Sequence, residues 1–79
     1  MNNTQEYYLE SFYCAVYLKL QGVDPIRIEV TQKNKKLFFY KNSQRLQEYI
    51  QDFYDNSILQ NFIEAMIEFR KTMYETKTN

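Results

Sequence analysis

Three features of this sequence predict an α+β domain in the order α-β-β-α-α. An apolar run at helical spacing ends at the only glycine, Gly22. Strict alternation follows the only proline, Pro25. Two later segments carry apolar residues that recur every three or four positions.

The first helix is expected over roughly residues 8–21, with Leu9, Phe12, Tyr13, Val16 and Leu20 at helical spacing. Phe12 through Leu18 is apolar at every position, and a helix apolar all round is either central in its domain or shared with a partner. Gly22 and Pro25 then stop it, since glycine ends helices and proline resists continuing them. Ile26, Ile28 and Val30 alternate with Arg27, Glu29 and Thr31, as in a half-buried strand. Gln32 to Lys35 is polar and holds Asn34, a residue that tolerates the left-handed backbone of a tight turn.

Leu37 to Tyr40 forms the second strand, and antiparallel pairing makes a two-stranded hairpin packed against the helices. Phe38 and Tyr40 share one face, Leu37 and Phe39 the other, and both pairs are apolar enough to be the buried one. Asn42 or Ser43 caps the next helix, whose stripe is Leu46, Tyr49, Ile50 and Phe53. Asp55 to Ser57 breaks it, with Ser57 as the expected cap of a last helix from Ile58 to Tyr74. A lone hairpin is marginal in water and its edges are open, so pairing with a second copy could extend the sheet.

With 79 residues, the chain reads as one domain, ordered over about 7–75 with flexible tails at 1–5 and 76–79. So short a chain has a small core. Eight Tyr and six Phe answer that shortage, because large rings bury about 150–250 Å² each. No apolar run approaches the roughly 20 residues of a membrane span. Met1 to Glu6 has no basic region leading into an apolar one, so no secretory signal is expected and the cytoplasm of a bacterial host cell is the expected location. The single cysteine, Cys14, lies in an apolar run and reads as a small buried hydrophobe, in keeping with a reducing compartment.

The pattern Phe12-x-x-Ala15-x-Tyr17-Leu18-x-x-x-Gly22, followed by Leu37-Phe38-Phe39, Leu46-x-x-Tyr49-x-x-x-Phe53-Tyr54 and a final helix with Phe62, Ala65 and Phe69-Arg70, resembles an uncharacterised family of short proteins of unknown function. Such proteins are encoded mostly by phages, plasmids and other mobile elements of low-GC Gram-positive bacteria. The resemblance spans about residues 7–75. It implies an accessory gene of a mobile element and brings no activity or binding residues with it.

Catalytic chemistry finds little support. The chain has no histidine to shuttle protons near neutral pH, no glycine-rich loop to cradle phosphate, and no Cys/His set for zinc. Glu48 with Asp52, and Glu64 with Glu68, are acid pairs four apart, which read as solvated helix faces rather than acid–base or metal sites. No enzyme, metal or cofactor is expected.

Two surfaces stand out as candidates. The charge is zero overall but polarised, with net +5 over residues 31–45 between acidic flanks. Lys33, Lys35, Lys36 and Lys41 surround Phe38 and Tyr40, with Arg45 nearby, a set that suits an acidic protein partner or, alternatively, single-stranded nucleic acid, unless the rings are core and the lysines solubilising edge charges. The second candidate is the helix-1 run holding Tyr13 and Tyr17, read as a self-association surface because tyrosine is a common interface anchor. The expectation is a small non-catalytic accessory protein that binds a protein partner, forms homo-oligomers, and possesses no membrane role. Inhibiting or modulating a host defence system is one such role.

Overall fold

The computed structural model describes residues 5–76. The expected succession of helix, hairpin and two helices holds, and the class is α+β. The elements are strand β1 (Glu6–Leu9), helix α1 (Phe12–Leu20), strands β2 (Arg27–Val30) and β3 (Lys36–Lys41), and helices α2 (Gln44–Asp55) and α3 (Ser57–Glu75). The outermost parts of the expected tails, residues 1–4 and 77–79, lie outside the described residues.

Strand β1 corrects the expected first helix, which begins at Phe12 rather than near residue 8. Glu6-Tyr7-Tyr8-Leu9 alternates between exposed and half-buried, so its period is two. Ser11 separates the two periods. Its Oγ accepts a hydrogen bond from the Cys14 amide at 3.0 Å and so caps the helix N-terminus. The other end of α1 closes at Gly22, whose φ of +88° is a backbone glycine adopts without penalty. There the Gly22 amide donates to the Lys19 carbonyl and the Val23 amide to the Leu18 carbonyl, each at 2.9 Å, which satisfies two carbonyls the helix leaves free.

The sheet has three strands in the order β1-β3-β2, both pairs antiparallel. The expected two-stranded hairpin is therefore completed by the chain itself. β1 takes one edge of β3, and the outer edges of the sheet are β1 and β2. Asn34, at φ 65°, makes the hairpin turn as expected, and the Thr31 carbonyl accepts from the Asn34 amide at 2.9 Å. Ser43 is the cap of α2, accepting from the Leu46 amide at 3.0 Å. The cap of α3 is Asn56 rather than Ser57, with Oδ1 accepting from the Leu59 amide at 3.0 Å. One residue separates α2 from α3, so Asn56 is the last place a side chain can reach back to the free amides.

The core joins α1, β3, α2 and the first half of α3: Cys14, Leu18, Phe38, Tyr40, Leu46, Phe53 and Ile63. Tyr7 and Leu9 close it from the β1 side. Ile28 and Val30 sit in register with Phe38 and Lys36 and so share the helix-facing side of the sheet, yet they stay more than half exposed, because β2 is an edge strand and the core lies over β1 and β3.

The molecule is flat and long, 58 × 33 × 16 Å, with a radius of gyration of 15.5 Å. A compact chain of this length would have a radius of roughly 12 Å. Helix α3 accounts for the excess. At about 1.5 Å per residue its 19 residues reach roughly 28 Å. Every residue from Ile67 to Thr76 is exposed.

Candidate protein-docking groove

An apolar groove of about 380 Å³ runs between α1 and α3. Phe53 and Ile63, both buried, form its floor with the half-buried Tyr13 and Tyr17. The Tyr17 and Phe53 rings lie 5.6 Å apart between centroids and are tilted at 47°, a favourable aromatic contact. One wall is Phe12, Val16 and Leu20 on α1, the other Leu59, Phe62 and Met66 on α3. Arg70 is the one charged residue of the lining among the described residues.

The residues of the expected self-association surface lie at two levels of this groove. Helix 1 does present apolar side chains outward, yet Tyr13 and Tyr17 sit at the base of the groove. Phe12, Val16 and Leu20 stand higher, at 61, 42 and 76% exposure. The α1 helix turns Cys14 and Leu18 into the core, and its i, i+4 neighbours Phe12, Val16 and Leu20 share a different face. The all-apolar run signalled that one side of the helix would lack cover. It gave no sign that α3 would supply the second wall.

The basic hairpin divides. Lys33, Lys35, Lys36, Lys41 and Arg45 are all exposed. Phe38 and Tyr40 are not: they are 8 and 1% exposed and belong to the core. Of the two readings of these rings, the outward one, which made them part of the candidate surface, is corrected, and the reason is the pairing with β1. Tyr40 lies opposite Tyr7 and Phe38 opposite Leu9, so all four point to the helix side. The outward rings are Phe39 and Tyr8, whose centroids lie 5.6 Å apart. Arg27 lies 4.1 Å above the Phe39 ring and is held there by Glu6 at 2.9 Å and Glu29 at 2.7 Å. Arg27, neutralised by its two acids, therefore covers the Phe39 ring, while Tyr8 beside it stays 53% exposed. Lys35 also has an acidic neighbour, Glu10 at 3.6 Å.

Titration behaviour follows burial and pairing. Burial pushes the Cys14 thiol up to about 11 and the Tyr40 phenol up to about 12, so both are protonated at neutral pH. The Tyr40 hydroxyl is buried with no hydrogen-bond partner among the described residues. The Arg27 guanidinium hydrogen-bonded to Glu6 holds that carboxyl below its ordinary value. The four acids paired by sequence, Glu48, Asp52, Glu64 and Glu68, are exposed, and Glu48 accepts from the Gln44 amide at 3.1 Å. Among the described residues no group of three or more His, Cys, Asp or Glu side chains comes together as a metal site. None of the described helices is long and apolar enough to cross a membrane.

Fold and groove together define a small α+β domain with a three-stranded antiparallel sheet and an open apolar cleft. A family model described as "Domain of unknown function (DUF5659)" matches residues 4–75, and the chain belongs to this family. No curated protein and no solved structure matches it.

Proposed function

We propose that this chain is a non-catalytic protein-binding module that works by occupying the surface of a partner protein through the groove between α1 and α3. The observation that carries this reading is the open apolar cleft itself. Its walls are large side chains left in water at real cost, since burying one contributes about 1.5–3 kcal/mol. Monomers rarely expose contiguous apolar patches beyond about 300–600 Å², and larger ones mark interaction sites. The accessory-protein setting implied by the sequence resemblance agrees with it: a small protein of a mobile element, inside a bacterial cell, acting by contact rather than by chemistry.

Site-specific photo-crosslinking in the host cell tests the reading. A benzophenone side chain at position 20 or 62, on the groove walls, is expected to give a discrete protein adduct. The same group at position 51, on the solvent face of α2, is expected to give none. Absence of any adduct from the groove positions would overturn the proposal.

A further inference from the structure

We infer that the groove is filled by a second copy of this chain, whose α3 lies antiparallel against the α3 of the first. The inference rests on the protein-binding reading above and names the partner.

Leu59, Phe62, Met66, Phe69 and Met73 recur at steps of three, four, three and four along α3. That repeat averages 3.5 residues and is the seam by which one helix packs along another. Only two of the five find cover in this chain. Leu59 and Met66 are half-buried against the core, while Phe62, Phe69 and Met73 are 64, 66 and 59% exposed. The seam therefore runs out of the body and along a helical arm with none of the other described elements packed over it. The same molecule carries the complementary feature, the apolar groove at the other end of the seam. Arm and groove on one chain make a reciprocal, two-fold exchange the closed solution.

Area supports a second copy. Phe12, Val16, Leu20, Phe62, Phe69 and Met73 together expose on the order of 600 Å², taking ~150–250 Å² as the full size of a large ring. A standard stable interface buries about 800 Å² per partner, so these six side chains with their polar rim supply a dimer's worth. The elongation agrees, because two such chains laid arm into groove form the compact body that one chain does not. Antiparallel seams pair unlike positions of the repeat, which sets Phe69 against the second copy's Met66 and Met73 against its Phe62. Met73 thereby reaches the groove mouth.

Sedimentation equilibrium of the purified full chain, from micromolar to millimolar, reads the association directly. The mass of two chains is expected. The double change Phe69→Asp and Met73→Asp lies on the exposed arm, so helicity by circular dichroism should persist while association weakens at least about 30-fold, the loss of a hot-spot pair. Orientation is read by mild oxidation of variants that each carry one added cysteine, with Cys14 buried and silent. Phe62→Cys mixed with Met73→Cys should give the mixed disulfide in preference to either self-disulfide. A one-chain mass for the wild-type protein throughout the range, or self-disulfides in place of the mixed one, would overturn the inference. A single-chain mass together with a groove adduct to a foreign protein would sink the second copy and leave the binding module standing. A single-chain mass with no adduct would remove both.

Discussion

The body of this protein and the far half of α3 are built from the same kinds of side chain and placed in opposite environments. In the body, Leu18, Tyr40, Leu46 and Phe53 are at most 2% exposed. Along the arm, Phe69, Met73 and Tyr74 are 59–79% exposed. The difference lies in what the topology brings alongside. The strands and α1 return over one another within the first fifty residues, whereas none of the described elements packs over the far half of α3. An amphipathic stripe makes a helix able to pack, but only a neighbour makes it packed.

The contrast is broken most directly by truncating one ring from each region. Phe53→Ala should cost about 3–5 kcal/mol, enough to unfold much of a domain whose whole stability is about 5–15 kcal/mol, as urea titration would show. Next in size is the cap of α2: Ser43→Ala should lower stability by about 1 kcal/mol in the same titration. Tyr40→Phe should move the midpoint in the other direction, by up to about 1 kcal/mol, because it removes a buried hydroxyl without a partner and keeps the ring. Phe69→Ala, measured dilute enough for single chains to predominate, should change stability by less than about 0.5 kcal/mol. A cost comparable to that of Phe53→Ala would mean that the arm is packed within one chain.

The smallest effect is a pH dependence on the outer sheet face. Glu6 is held below its ordinary value of 4.5 by hydrogen bonds from Arg27. Its folded pKa is below its unfolded one, so the stabilisation is present above pH 4.5 and is lost as pH falls through the folded value. Thermal melts of wild type and Arg27→Ala should therefore differ near neutrality and converge in acid.

Much of the body could be read from residue order. Asn34 at the turn, Gly22 at the helix end and the buried Cys14 are local matters, settled by backbone conformation and by an uninterrupted apolar run. The cap of α3 was displaced by one residue because Asn and Ser are both good caps and only the interhelix spacing chooses between them. Strand β1 was hidden because Leu9 fits the helical spacing of Phe12, Tyr13 and Val16 as well as it fits an alternation with Tyr7. The groove was half visible: the surplus of apolar side chains on the first helix was plain, its second wall was not.

The sequence by itself determined the elements, the turn chemistry and the excess of ring-bearing and aliphatic surface over what so small a body can enclose. These follow from spacing and backbone preference, which act over a few residues. Tertiary structure alone decided that Phe38 and Tyr40 face inward and Phe39 outward, that β1 completes the sheet, and that α3 overruns the body. Both faces of β3 are apolar, so no local preference separates them. The choice falls to partners distant in the chain, with Tyr7 and Leu9 on one side and Arg27 bridged to Glu6 and Glu29 on the other.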